Sequence, residues 1–271
     1  MDDWLATNRD LWDERVPLHM ASDFYRVEEF KAGRPALLGF EIDELGPLDG
    51  LRLVHLQCHF GLDTLDIARL HPTVEVTGVD FSAPAIDGAA RLAGELHLAD
   101  RARFVLSDVY HAAEAVGNAG FDVVYTGKGA LLWLPDLERW AEVVRDLLVP
   151  GGYLYLSELH PVADALGEDD PVPVRDYFAT EATVLDEPGS YADPTLPTVH
   201  NVSYEWIHPV SRVISALLGA GLQLELFHEW AFTLDSQHSF LVPREGARGR
   251  CWPGPGTLPL MYSLKAVRPG R

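Results

Sequence analysis

Two groups of residues in this chain have the types and spacing that chemistry requires. The first is the stretch LVHLQCHFG, Leu53 to Gly61, with the acidic strand end VTGVDFS, Val76 to Ser82, downstream of it. A carboxylate at the carboxyl end of a strand, as Asp80 would be, accepts two hydroxyl hydrogen bonds at once, which suits the ribose of an adenosine. The second group is SELHP, where Glu158 and His160 alternate onto one side of a strand. An imidazole titrates in the right range for a general base, and a neighbouring carboxylate would orient the ring and stabilise the imidazolium.

The elements that must hold these residues are legible from hydrophobic period. Leu51 to Leu56 is apolar on both faces and reads as a buried strand, Leu62, Leu65 and Ala68 mark a following helix, and Val74 to Val79 is a second β-rich run. Further strands are expected near 102–107, 121–126 and 152–158, with helices between. Asp136 caps a helix whose Leu137, Trp140, Val143, Val144 and Leu147 face the core. A helix from Pro209 to Leu218 and two final runs, LQLELFHEW and MYSLKAV, follow.

A βαβ unit of this kind also serves dinucleotide enzymes, which keep an acid about 20 positions downstream of a glycine fingerprint. Here those glycines would fall at Gln57, His59 and Leu62, and all three are absent. A diphosphate needs close backbone approach and helix-end amides, and the Gln57 and His59 side chains crowd that space. S-Adenosylmethionine carries no phosphate, so a loop that keeps only Gly61 can still curl beside its amino acid end.

With these motifs the chain resembles the class I S-adenosylmethionine-dependent methyltransferases through most of its length. Their glycine-rich first motif corresponds to His55 to Gly61, their ribose acid to Asp80, and their adenine-side acid to Asp108 in FVLSDVY. Their fourth-strand motif corresponds to FDVVYTGKG from Phe121, and the turn PGG at Pro150 to Gly152 precedes a fifth strand, YLYLSELHP. The chain departs from the pattern at His55, where an acid is usual, and at Gln57 and His59, where glycines are usual. The resemblance implies an α/β Rossmann-like doubly wound sheet of seven strands, the last antiparallel, in a single domain over 1–271. It also implies S-adenosylmethionine as cofactor, S-adenosylhomocysteine as product, and a donor site of Gln57, Cys58, His59, Gly61, Asp80, Phe81, Asp108, Val109 and Gly127. Residues 41–160 would be the donor-binding half and 208–271 the rest of the sheet.

Residues 1–40 read as a helical lid. Trp4, Leu5, Leu11 and Trp12 leave a polar face of Asn8, Asp10 and Asp13, Pro17 is a stop signal, and Ser22 and Asp23 would cap a second helix carrying Phe24, Tyr25, Val27 and Phe30. The Pro-rich, acidic insert at 161–207 contains extended runs at 176–186 and 198–206, and its Tyr177, Phe178, Tyr191, Tyr204 and Trp206 suit a small planar acceptor. A homodimer contact is its competing use. Tyr25 would join Glu158 and His160 in assisting proton removal. That trio is similar to enzymes that methylate electron-rich aromatics such as indoles in secondary metabolism, with O- or N-methylation of another metabolite, a non-methylating relative of the fold and, last, an NAD-dependent oxidoreductase as alternatives. Lys128 is expected in solvent, and Trp133 at the pocket rim.

Bulk properties narrow the partners. The formal charge of −20, with 21 scattered positive side chains of which only Lys31, Lys128 and Lys265 are lysines, argues against a nucleic-acid substrate. No apolar run of about 18 residues is present, and MDDWLATNRD is not a secretory leader, so a cytoplasmic protein without membrane contact is expected. Two cysteines give no disulfide framework, and His55, Cys58 and His59 match no metal-ligand spacing, so no metal is expected.

Overall fold

Alternate residues of the first core strand are buried against opposite faces of one sheet, and the architecture grows outward from it. The computed structural model describes residues 3–234, 237–254 and 258–270. In chain order α1 is Asp3–Ala21, α2 Val27–Lys31, α3 Gly39–Leu45, β1 Arg52–Leu56, α4 Leu62–Leu70, β2 Glu75–Asp80, α5 Ala83–Glu95 and β3 Ala102–Leu106. Next come α6 Ala112–Ala115, β4 Phe121–Gly127, α7 Leu137–Leu147, β5 Leu148–Leu159, α8 Pro161–Ala165, β6 Thr183–Asp186 and β7 Val202–Glu205. The chain finishes with α9 Val210–Gly219, β8 Gln223–Trp230, the short β9 Phe232–Thr233, β10 Val242–Pro243 and β11 Arg250–Cys251, and β12 Met261–Val267.

The main sheet has seven strands in the order β3-β2-β1-β4-β5-β12-β8. β1 to β5 run parallel, and β12 lies antiparallel between β5 and β8. This is the expected doubly wound sheet with its last strand reversed. Val54, Leu56, Val124, Leu154 and Leu156 bury against Trp140, Val144, Leu147, Val213 and Leu217 of α7 and α9. Leu53, Val123, Tyr125 and Tyr155 face the other layer, with Leu65, Ile67 and Leu92 of α4 and α5 and Phe30 of α2. Because β1 pairs with β2 on one side and β4 on the other, the chain order reverses there, and the crevice at its carboxyl end is where such sheets bind ligands.

The N-terminal region differs from the sequence expectation in two places. α1 continues through Pro17 to Ala21 instead of stopping. A proline inside a helix costs about 3 kcal/mol, and here Leu11, Val16 and His19 are buried on either side of it, so tertiary packing overrides the local break. The second helix is only Val27–Lys31, because Arg26 adopts a left-handed φ of 50° and leaves Phe24 and Tyr25 in a turn. The Ser22 hydroxyl, expected as a cap, donates to His19 O at 2.8 Å. In the insert, β6 and β7 form an antiparallel hairpin within the two expected extended runs.

Candidate active site

At the carboxyl end of β1 the backbone takes an unusual course. Gln57 and His59 have φ of 57° and 50°, a left-handed conformation that costs a side-chain-bearing residue about 1–2 kcal/mol. Gly61, at φ 79°, could not carry a side chain, since a Cβ there would lie 2.8 Å from the Phe104 ring. The strain is held by side-chain and backbone partners. Gln57 Nε2 donates to Ala130 O at 2.9 Å, and the His59 amide donates to Asp80 Oδ2 at 2.8 Å. The loop therefore keeps the left-handed backbone of a glycine-rich turn while carrying two polar side chains.

Asp80 ends β2 almost fully buried, and its other oxygen accepts from the Ser82 amide at 3.0 Å. Burial raises its pKa to about 6, although the amides of Ser82, His59 and Phe81 favour the carboxylate. Asp108 caps the turn after β3, accepting from the Tyr110 amide at 3.0 Å and meeting His111 Nδ1 at 2.7 Å. Each carboxylate oxygen has two acceptor positions, so both aspartates keep capacity for a ligand. His55 bonds Thr64 Oγ1 at 2.7 Å and lies edge-on to Tyr125, and burial lowers its pKa to about 4.

Lys128 is the clearest correction to the sequence expectation. It is not in solvent but folded inward, with Nζ 3.0 Å from Glu41 and 2.8 Å from Asp63. Burial opposes its charge, yet the two carboxylates together raise its pKa, and Lys128 in turn is the main influence keeping Asp63 ionised against burial. The Tyr125 hydroxyl donates toward both acids at 3.2 Å. The signal was present in composition: one of three lysines in the chain directly follows the glycine that ends β4.

A cavity of about 830 Å³ lies over these strand ends. Gln57, Cys58, His59, Gly61, Asp80, Phe81, Asp108, Val109 and Gly127 all line it, as do Asp63 and Lys128. Its roof has two parts that clasp each other. Asn8 of α1 exchanges two 2.9 Å hydrogen bonds with the Tyr204 backbone, Glu14 accepts from the Val199 and His200 amides, and Arg15 donates to His200 O at 2.7 Å. The Tyr25 and Tyr191 hydroxyls are bonded to each other, and Trp12 packs edge-on against both His59 and Trp133. Trp133 thus lines the cavity.

Of the expected proton-removing trio, only Tyr25 reaches this cavity. Glu158 does not orient His160. Its buried carboxylate accepts the amides of Gly129, Ala130, Leu131 and Leu159, and the first three tie the loop after β4 to the end of β5. The His160 ring turns elsewhere: Nδ1 accepts from the Val162 amide at 3.2 Å as the cap of α8, and Nε2 lies 3.1 Å from Glu229. The period-2 argument set both residues on one side of a strand end, but β5 stops at Leu159 and His160 caps α8, and the loop amides claim the carboxylate. Among the described residues no cluster of three His, Cys, Asp or Glu side chains is arranged to hold a metal ion.

Residues 54–154 match the sequence pattern of a family described as a methyltransferase domain. The match runs from β1 into β5 and so covers the strand ends beneath the cavity. Over 170 residues, 59% of this chain and 62% of the relative, the sequence is 32% identical to a ubiquinone biosynthesis O-methyltransferase of Caulobacter sp. (strain K31). The chain spans less than two thirds of the length of the curated relatives it matches. Among solved structures it is similar to the glycopeptide N-methyltransferase MtfA complexed with S-adenosylmethionine, at TM-score 0.55 and 18% identity over 92% of this chain and 95% of that one. It is likewise similar to the [4+2]-cyclase SpnF, at TM-score 0.56 and 16% identity over 97% and 96%. The fold is the one seen in solved S-adenosylmethionine-dependent methyltransferases.

Proposed function

We propose that the protein transfers a methyl group from S-adenosylmethionine to a small-molecule acceptor, with S-adenosylhomocysteine as product. The observation that carries this reading is the cavity at the reversal point of the sheet, where Asp80 offers a buried carboxylate and the adjoining loop lacks phosphate-binding glycines. The residues fit such a donor. Gln57 Oε1 and His59 Nε2 are buried without a hydrogen-bond partner among the described residues, and both side chains line the cavity. A Cβ at Gly127 would meet the Tyr125 hydroxyl at 2.7 Å, so only glycine leaves that strand end open. Asp80 would hold the ribose, Asp108 and Val109 the adenine side, and the opposite charges of Lys128 and Asp63 the amino acid end. When bound, the donor supplies an electrophilic methyl group; the chain supplies alignment and exclusion of water.

The acceptor is narrower in our reading: a planar, electron-rich aromatic such as an indole. Trp4, Trp12, Trp133 and Tyr191 line the roof of the cavity and offer flat apolar faces to such a ring. O- and N-acceptors stand as alternatives, in keeping with the activities named for the Caulobacter and glycopeptide enzymes. A role in secondary metabolism, a cytoplasmic location and a homodimer joined through the insert belong to the same proposal. A second reading has one observation in its favour: the strained, side-chain-bearing loop at Gln57 and His59 departs from the family pattern, and a cyclase shares the fold.

Calorimetry with S-adenosylmethionine, S-adenosylhomocysteine and NAD, followed by an acceptor panel, tests the proposal. Binding of both sulfur nucleosides with methylation of a panel member is expected. Binding of S-adenosylhomocysteine without methylation of any acceptor would favour the second reading, and binding of NAD alone would overturn both.

A further inference from the structure

Three histidines line the cavity, His55, His59 and His238, and they differ in what their rings are free to do. His55 is tied to Thr64 beneath the donor loop, and burial drives the His59 ring well below its ordinary pKa amid Trp12, Tyr25 and Phe60. His238 follows β9, at the end of the chamber shared with Leu159, Ala163, Leu166 and Gly167, away from the donor loop in sequence and in partners. His238 as a whole is 4% exposed. It stacks on Phe240 with centroids 5.1 Å apart, and Phe240 stacks on Trp252 at 5.2 Å. Hydrogen bonds fix the segment on both sides: Ser239 N donates to Glu168 O at 2.8 Å, and the Arg248 guanidinium donates to Ala36 O at 2.8 Å.

The decisive contact is His238 Nδ1 at 3.2 Å from Gly167 O. A carbonyl oxygen can only accept, so Nδ1 must carry the hydrogen, and the neutral ring keeps its lone pair on Nε2. We propose that His238 is the general base that removes the acceptor's proton through Nε2. The proposal rests on the methyl-transfer reading. As the acceptor atom bonds to the methyl carbon, the sulfur–carbon bond breaks with its electron pair left on sulfur, and the acceptor's proton passes to Nε2, to be released later to solvent. Charged side chains lining the cavity from the elements next to His238 are Asp164 on α8 and Glu168 beyond it, with Asp169 bonded to Ser239, while Arg175 and Arg248 line the same cavity.

Long-range proton–nitrogen spectra of histidine-labelled protein, with His238 assigned through the His238→Gln variant, read the tautomer whatever the acceptor is. A hydrogen on Nδ1 is expected, and a hydrogen on Nε2 in the neutral ring would overturn the assignment. With an acceptor from the panel, His238→Gln should lower kcat/KM by about 100-fold or more and remove the acid limb of its pH profile. S-Adenosylhomocysteine affinity should stay within about twofold. A variant that keeps the rate and the acid limb would also overturn it. Failure of the unaltered protein to bind S-adenosylhomocysteine would instead count against the methyl-transfer reading itself.

Discussion

Asp80 and Glu158 are both buried carboxylates at the carboxyl ends of parallel strands, and the two regions they anchor use them in opposite ways. Glu158 spends its acceptor positions on four amides of its own chain, so it fastens the loop after β4 and has nothing left to offer a ligand. Asp80 lines the large cavity and keeps acceptor capacity beyond its amide contacts. Burial raises the pKa of both, the Glu158 shift being opposed by amides of Leu131, Leu159, Gly129 and Ala130. Burial and strand position alone do not mark a functional acid. What separates them is how many of the lone pairs the fold itself has used.

Glu158→Gln should break the fold, since an amide group would set its own N–H donors against backbone N–H donors in a buried loop. A loss of about 3–5 kcal/mol in urea unfolding is expected, and a near-normal stability would mean that the four amides are satisfied in some other way. Lys128→Met comes next, because it strands Glu41 and Asp63 without their cation. About 3 kcal/mol should be lost, with part of it recovered in the double variant carrying Glu41→Gln, and the absence of any recovery would dissolve the proposed network.

The pH dependence of Asp80 gives a sharper comparison. Its folded pKa is raised, so its contribution to stability is present at low pH and is lost as pH rises through about 6. Donor affinity should run the other way: level above pH 7, then falling by up to about tenfold per unit below 6, because only the carboxylate accepts two hydroxyls. Its neighbours stay neutral in that window, His59 and His19 being lowered and Cys58 raised by burial, while Asp13 adds repulsion. Donor titrations of the Asp80→Asn variant should show no such fall. The smallest effect belongs to His160→Ala, which removes the cap of α8 and should cost about 1 kcal/mol in thermal unfolding with turnover retained; a collapse of turnover at unchanged stability would restore His160 to the site.

Much of this molecule was legible from period and order. The apolar runs near Leu53, Val76 and Phe121 and the capping Asp136 specified the parallel sheet, because those signals are local. The nine residues expected at a donor site sit at or near strand ends, and they share one cavity. What was not legible depended on distant partners. Lys128 is drawn inward by Glu41, 87 residues away in sequence. Pro17 remains helical because α1 is packed against the insert and α5, and Glu158 is claimed by a loop from the neighbouring strand. His238 carried no motif at all; its ring is made interesting by Gly167 and Phe240, which only the fold brings to it.

The central claim is that a sulfur nucleoside is held over β1 and β2 with its sugar on Asp80. Titration calorimetry of S-adenosylhomocysteine into the intact protein and into Asp80→Ala tests it most directly. One site per chain is predicted, weakened about 100-fold in the variant by loss of two hydrogen bonds to a charged acceptor. Equal affinity in the two proteins, or heat only with NAD, would contradict it.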